Sequence, residues 1–145
     1  MIRSQSGDHV DALGTLSLPD SALIFVANSG VSDEWTAVLE ELTEAFDLSQ
    51  AAVRSSGPIV YLLDGDDLLG RRGTGGAMVA CGLLSAARTL ALETARAGIP
   101  VNVVALAATT TPESVKFWVE ALCRPNGPTG ELIRLGADHL GKALP

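Results

Sequence analysis

The sequence has few aromatic residues, few basic residues and two cysteines, and these shortages exclude several classes of protein. Aromatic residues make up 4% of the 145 residues, which favours an α/β core packed with Ala, Leu and Val. Lys and Arg number 10 against 17 Asp and Glu, and the net charge of −7 argues against a nucleic-acid partner, which would need a basic face. Cys81 and Cys123 lack the spacing of a metal site and are predicted to be buried free thiols.

The pattern contains neither a long apolar run nor a signal-like leader. The uncharged stretch at residues 73–87 is shorter than a membrane span and rich in Gly, Ala and Ser. Residues 1–18 include charged side chains and no apolar core, so no signal peptide is expected. We predict a cytoplasmic protein without a membrane partner. It is expected to be one domain over residues 1–145, with 1–20 as an N-terminal extension and 137–145 as a C-terminal tail.

What the sequence does contain is a regular alternation of apolar strands and helices with helical apolar spacing. The predicted elements are, in chain order, strand 22–27, helix 32–54, strand 58–63, helix 76–97, strand 101–106, helix 112–123 and strand 131–135. Such alternation predicts right-handed crossovers and a parallel sheet with helices on both faces.

The stretch from residue 75 to residue 106 carries the most specific pattern. An Ala-rich helix ends at Gly98, and a buried strand follows. This segment resembles the active-site helix and following strand of the short-chain dehydrogenase/reductase family, which reads Tyr-x-x-x-Lys, Arg-Ser-Leu-Ala-x-Glu and Gly-Ile-x-Val-Asn. The matching residues are Arg88, Leu90, Ala91, Glu93, Gly98, Ile99, Val101 and Asn102.

The resemblance extends to both sides of this stretch. Residues 23–30 are similar to the family's fourth strand and its Asn-Asn-Ala-Gly motif, with Asn28 and Gly30 in register. Residues 129–136 are similar to its last strand. The resemblance implies a truncated Rossmann-like parallel sheet of about four strands, in the order four, five, six, seven of that family, with helices on both faces.

The residues that perform the family's chemistry are replaced at the matched positions. The family's tyrosine falls on Gly76 and its lysine on Ala80. Its catalytic asparagine falls on Glu41, and its serine falls on Leu63 or Asp64. The resemblance therefore implies a chain that keeps the scaffold and lacks dehydrogenase chemistry.

The glycine motif that binds a dinucleotide pyrophosphate in the family has no counterpart in residues 1–20, which precede the fourth strand. Residues 70–76 form the one glycine-rich loop, which is interpreted as a strand-to-helix connection rather than a phosphate site. The segment 64–67, Asp-Gly-Asp-Asp, is interpreted as a solvated acidic turn in preference to a Mg²⁺ or Ca²⁺ site. We expect no cofactor, no nicotinamide binding and no metal.

The helices predicted at 32–54 and 76–97 form the expected assembly surface. Apolar or small residues occupy nearly every position from Ala77 to Ala87, and a helix that is apolar all round must be buried all round. In the resembling family these two helices build the main dimer interface. The predicted interface residues are Val38, Leu42, Phe46, Ala80, Leu84 and Ala87.

The function that follows is a non-catalytic assembly subunit, in a homo- or hetero-oligomer with itself or with a full-length member of that family. It is not expected to be a nicotinamide-dependent oxidoreductase itself. The alternative is a cofactor-independent isomerase, cyclase or lyase that uses the vacated pocket, with Glu41, Tyr61, Asp64 and Thr111 as candidate residues. A module that binds a ligand in the same hollow is a third possibility.

One edge of the predicted sheet raises a separate question. Without the family's first three strands, residues 23–26 form a long apolar edge, which invites aggregation unless it is covered. Residues 9–18, with Leu13, Leu16 and Leu18, are one candidate to cover it, and a partner chain is the other.

Overall fold

The structure, a computed structural model, describes residues 1–3 and 13–136 of the chain. The elements are, in chain order, β1 Ile2–Arg3, β2 Leu23–Val26, α1 Trp35–Arg54, β3 Ile59–Asp64, α2 Gly65–Leu68, α3 Thr74–Thr94 with a following 3₁₀ turn Ala95–Ala97, β4 Val101–Leu106, α4 Pro112–Leu122 and β5 Leu132–Leu135. Every predicted element is present, with ends that differ by at most three residues. The predicted tail, 137–145, and residues 4–12 of the predicted extension lie outside the described residues.

One three-residue boundary difference is at the start of α1, which begins at Trp35 rather than at residue 32. The hydroxyl of Ser32 accepts a hydrogen bond from Glu34 N at 3.1 Å, and this local turn precedes the helix. Glu34 then occupies the N-cap position with extended backbone angles and without a side-chain cap.

The strands form one parallel sheet whose spatial order follows the chain, β1-β2-β3-β4-β5. The central pair is in register from Ile59 with Val101 to Asp64 with Leu106. The predicted fold class, an α/β parallel sheet with helices on both faces, is confirmed. Strands β2 to β5 are the four that were predicted, and the two-residue β1 is an addition.

Strand β1 lies against the edge of β2 that the sequence left open. Ile2 pairs with Ile24 and Arg3 pairs with Phe25, both in parallel. Leu13, from the segment that was one candidate to cover this edge, is buried against one face of the sheet. Residues 9–12 of that segment lie outside the described residues.

Alternate side chains of the strands face two separate cores, because successive residues of a strand point to opposite faces. Phe25, Tyr61 and Val103 belong to the core beneath α1 and α3. Ile24, Val60, Leu62 and Val104 belong to the core on the opposite face, together with Val115, Val119 and Leu122 of α4. Both faces of β3 and β4 are therefore covered, which explains their nearly continuous apolar sequences.

Helix α3 is the core helix of the first face. Residues Thr74–Ala97 are long and apolar enough to cross a membrane by length and composition, and 44% of the most apolar window is buried inside the chain. The buried side chains, among them Val79, Leu83 and Ala91, pack in the core beneath α1 and α3. This helix therefore packs on the sheet of its own domain.

Asn102 is the one polar side chain in the otherwise apolar β4, and it is fully buried. Its Nδ2 donates to Pro128 O at 2.7 Å, and its Oδ1 accepts from Glu131 N at 3.2 Å. Asn102 therefore joins β4 to the segment that leads into β5, and it satisfies two backbone groups at that junction.

Replacing Asn102 with Ala should lower the free energy of unfolding by about 2–4 kcal/mol, because both backbone groups lose their partner. Urea denaturation followed by circular dichroism measures the change. Thr43→Ala, on the exposed side of α1, serves as the control and should change stability by less than about 0.5 kcal/mol. Equal effects of the two substitutions would show that the Asn102 hydrogen bonds are not needed.

Candidate functional site

The loop after β2 is attached to α1 by a pair of hydrogen bonds between Asn28 and Glu41. Asn28 N donates to Glu41 Oε1 and Asn28 Nδ2 donates to Glu41 Oε2, each at 2.8 Å. Glu41 is buried. Both carboxylate oxygens of this candidate are engaged by the protein, so its role in the structure is to hold the loop.

The acidic turn after β3 forms the short helix α2, which the sequence analysis did not predict. Asp64 caps this helix by accepting from Asp66 N at 2.8 Å and from Asp67 N at 3.4 Å. Asp64 also pairs with Arg72 at 2.9 Å, and Asp66 pairs with Arg71 at 3.2 Å. An Asp followed by two acidic residues in the first turn is a helix start signal, and it was present in the sequence.

Asp67 corrects the expectation that this turn is fully solvated. Its side chain is 3% exposed, and Oδ2 accepts from Gly30 N at 2.8 Å. Oδ1 is buried and has no hydrogen-bond partner among the described residues. The carboxylate thus connects α2 to the loop after β2 and faces the start of α3.

Gly76, at the position of the family's tyrosine, packs directly against this carboxylate. A Cβ on Gly76 would lie 2.3 Å from Asp67 Oδ1 and 2.7 Å from its Cγ. The neighbouring Gly75 is equally constrained, since its N donates to Asp33 Oδ1 at 2.6 Å and a Cβ there would lie 2.2 Å from Ser32 O. No space for a tyrosine side chain remains at the start of α3.

Ala80 and Leu63, at the positions of the family's lysine and serine, lie in the hydrophobic core beneath α1 and α3. Both are almost fully buried. A side chain at position 80 points toward the sheet, where a lysine would have to bury its charge among apolar residues. The matched positions are therefore part of the packing of this chain and do not open into a polar pocket.

The other two candidate residues, Tyr61 and Thr111, make hydrogen bonds in separate parts of the fold. Tyr61 is buried, its hydroxyl hydrogen-bonds Ser49 Oγ at 2.6 Å, and burial raises its pKa, an effect that the Ser49 bond partly opposes. Thr111 is the exposed N-cap of α4 and accepts from Ser114 N at 3.3 Å. The four candidates Glu41, Tyr61, Asp64 and Thr111 thus serve four different local structures.

The two cysteines differ in environment, which corrects the expectation that both are buried. Cys123 is buried in the core beneath α4, and burial raises its pKa to about 12. Cys81 is exposed on α3. Within residues 1–3 and 13–136, no three His, Cys, Asp or Glu side chains form a group that could hold a metal ion.

Four of the six predicted interface residues face the chain's own core, which corrects the choice of helix face. These are Val38, Ala80, Leu84 and Ala87. Leu42 is partly buried against α3, where a Cβ on Gly82 would lie 3.2 Å from its side chain. Phe46 alone is exposed, with 63% of its surface accessible.

Several exposed apolar side chains lie on the outer sides of α1 and α3, while Leu92 near the end of α3 and Phe117 on α4 are exposed elsewhere. Trp35, Leu39 and Phe46 share one stripe of α1 at helical spacing, and Trp35 is 61% exposed. Met78 is exposed on α3, followed one turn later by Cys81 and then by Ser85. We refer to these six residues as the outer α1–α3 surface.

Comparison with known proteins identifies the fold. No protein-family model matches the sequence, and no curated protein matches it at a significant level. Among solved structures, an acetoin dehydrogenase from Enterobacter cloacae is similar with a TM-score of 0.64 and 21% identity, over 79% of this chain and 62% of that chain. An acetoin dehydrogenase from Salmonella typhimurium is similar with a TM-score of 0.68 and 18% identity, over 87% and 65%.

A 3-hydroxyacyl-CoA dehydrogenase type-2 from Mycobacterium avium is also similar, with a TM-score of 0.64 and 15% identity, over 79% of this chain and 65% of that chain. These neighbours are short-chain dehydrogenases/reductases. The chain therefore has the fold of that family, and the resemblance drawn from the sequence is confirmed at the level of the fold. It spans 62% to 65% of the lengths of these three structures.

Close packing between Gly76 and Asp67 leads to a prediction about stability. Gly76→Ala should lower the free energy of unfolding by about 1–3 kcal/mol, because the new methyl group collides with a buried carboxylate. Gly82→Ala is the matched control, since a Cβ there meets only the tip of Leu42 and the helix gains about 1 kcal/mol of propensity.

A double-mutant cycle tests the cause of the Gly76 effect by urea denaturation. In an Asp67→Ala background the cost of Gly76→Ala should fall by at least about 1 kcal/mol, because the colliding atoms are gone. An unchanged cost in that background would contradict the packing argument.

Proposed function

We propose that the chain is a non-catalytic assembly subunit with the short-chain dehydrogenase/reductase fold, and that the outer α1–α3 surface packs against another subunit of the same fold. The observation that carries this proposal is the exposure of Trp35, Leu39 and Phe46 on one stripe of α1. Contiguous apolar side chains on a surface are typical of protein–protein interfaces.

The composition of the chain strengthens this argument. The sequence has 3 Phe, 2 Trp and 1 Tyr. One of the Phe residues, Phe46, and one of the Trp residues, Trp35, lie on this surface. On α3 the exposed residues next to Met78 are small, Cys81 and Ser85, and small side chains let a second helix approach closely. The surface therefore combines apolar anchors with space to receive them.

The charges beside this surface favour a partner with the same two helices. Glu40 and Asp47 are exposed on α1, whereas Arg88 is exposed on α3. When α1 of one subunit packs against α3 of another, acidic and basic side chains come together at the rim of the contact. A second copy of this chain meets this requirement, and so does a full-length relative with a similar pair of helices.

The closed catalytic positions support the non-catalytic half of the proposal. The position of the family's tyrosine is occupied by Gly76 against Asp67, and the position of its lysine is Ala80 in the core. Acid–base chemistry needs a titratable group that reaches the substrate, and none of these matched side chains is one.

The chain is therefore expected not to use nicotinamide cofactors. Calorimetric titration with NAD(H) and with NADP(H) should give no saturable heat up to millimolar concentrations. Gly76→Tyr combined with Ala80→Lys should not create nicotinamide-dependent turnover, because Asp67 blocks the first side chain and the second faces the sheet. Micromolar binding by the unmodified chain would refute this expectation.

The assembly surface is tested by a matched pair of exposed phenylalanines. Phe46 on α1 and Phe117 on α4 are 63% and 64% exposed and lie on helices that cover opposite faces of the sheet. Phe46→Glu should convert the assembled protein to a folded monomer, since a carboxylate would be buried in the contact. Phe117→Glu should leave the molecular mass from light scattering unchanged.

Thiol labelling provides a second measurement of the same contact. Cys81 should react with a thiol reagent faster in Phe46→Glu than in the unmodified chain, because assembly covers it. Cys123 should stay unreactive in both, since its raised pKa keeps it protonated at neutral pH. If the unmodified chain is monomeric by itself, a partner of the same fold should co-purify with it from the native host. Phe46→Glu should then abolish this co-purification. Assembly that is equally sensitive to both Phe substitutions, or to neither, contradicts the proposal.

A further inference from the structure

A hollow of about 110 Å³ lies at the carboxyl ends of β4 and β5, beside α2, and the outer α1–α3 surface contributes nothing to it. Its walls include Gly65, Leu69, Ala105, Ala107 and Leu135. The hollow lies outside the carboxyl ends of the strands, which is the side of an open parallel sheet on which ligands bind. The hollow is large enough for several water-sized groups.

Arg134 of β5 lines this hollow and is the reason to assign a ligand to it. Its Nε and Nη1 are buried and have no hydrogen-bond partner among the described residues. Among the described residues, three buried side-chain polar atoms have no hydrogen-bond partner, and these two nitrogens are among them. A guanidinium is always protonated, and two buried N–H groups that lack an acceptor are unfavourable.

The charged residues around the hollow indicate the charge of a ligand that would pair with Arg134. Arg71 and Asp66 also line it, and they pair with each other at 3.2 Å. That pair is neutral overall, so among the described residues the guanidinium of Arg134 remains without a countercharge. A monoanion balances this charge. A phosphate dianion would place a second negative charge near Asp66.

The remaining walls define the other end of the ligand. Leu69, Ala105 and Ala107 offer apolar contacts to a short alkyl group. Gly136 also lines the hollow and has no side chain. Its φ of +117° favours glycine, and a Cβ at this position would lie 2.4 Å from Ala107 Cβ. Carboxylates match the planar donor set of a guanidinium better than spherical anions do.

We propose that this hollow binds a small aliphatic monocarboxylate, whose carboxylate pairs with Arg134 and whose alkyl end contacts Leu69 and Ala107. The site is independent of the proposed assembly contact, since Arg134 and the outer α1–α3 surface share no residue. It gives the chain a ligand without requiring the catalytic positions at Gly76 and Ala80.

The test is a titration of the isotopically labelled chain with sodium propionate, with sodium chloride added to keep the ionic strength constant. The side-chain Nε–Hε signal of Arg134 should shift and saturate, with a dissociation constant in the millimolar range or below. Arg134→Met should abolish the binding measured by calorimetry. Arg96→Met is the matched control, because Arg96 is exposed in the turn after α3, and it should bind propionate as the unmodified chain does.

A second variant keeps the guanidinium and fills the hollow. Ala107→Leu should weaken propionate binding by at least about tenfold, and its circular dichroism spectrum should remain native. This variant keeps the proposal testable if Arg134→Met fails to fold. Equal affinity in Ala107→Leu and the unmodified chain would overturn the proposal.

Three further outcomes would also overturn it. One is a shift of the Arg134 signal with chloride alone that equals the shift with propionate. Another is tighter binding of inorganic phosphate than of propionate, which contradicts the charge argument. The third concerns Asp138, which lies outside the described residues and carries a carboxylate four positions after Arg134. Propionate binding by Asp138→Asn but not by the unmodified chain would show that the chain supplies its own anion.

Discussion

Close packing along the glycine-rich face of α3 is the constraint on which the arrangement around the sheet depends. Gly75 lies against the backbone of Ser32, Gly76 against the carboxylate of Asp67, and Gly82 against Leu42. These three contacts position α3 against the loop after β2, against α2 and against α1. A larger side chain at position 75 or 76 would meet backbone or a buried carboxylate, so neither contact tolerates a shift of the helix.

The orientation of α3 has consequences on both of its sides. On the inner side it places Ala80, Leu84 and Ala87 against the sheet, where they complete the core. On the outer side it leaves Met78 and Cys81 in solvent, next to the exposed stripe of α1. The packing that closes the positions of the family's tyrosine and lysine is therefore also the packing that exposes the surface to which we assign assembly.

The relation to short-chain dehydrogenases/reductases concerns the scaffold. Identities of 15% to 21% with the three solved structures, over 62% to 65% of their lengths, establish a common fold. Function has to be argued from the sites, because one fold supports many activities. Here the positions of the family's tyrosine and lysine are closed by packing, while a guanidinium without a partner among the described residues lines a hollow beside α2. The two features direct the proposed functions away from hydride transfer and toward assembly and ligand binding.

The sequence by itself determined the order and type of the main elements. The strand at residues 101–106 was predicted with its observed boundaries, because an apolar run between a glycine stop and a loop is a local signal. The replacement of the catalytic residues was also visible, since it depends on residue identity at matched positions. The short helix α2 was missed, although Asp64 and the acidic residues after it are a local cap signal.

Only the tertiary structure decided which side of α3 is buried, that Asp67 lies beneath Gly76, and that two buried nitrogens of Arg134 lack a partner among the described residues. A helix that is apolar or small on every side gives no periodic signal for its buried face, so the predicted interface was displaced onto the core side. The environments of Asp67 and Arg134 depend on residues far away in sequence, Gly30 for the first and Ala105 and Ala107 for the second. Burial and pairing of a charge are properties of the assembled elements, and no local pattern of residues specifies them.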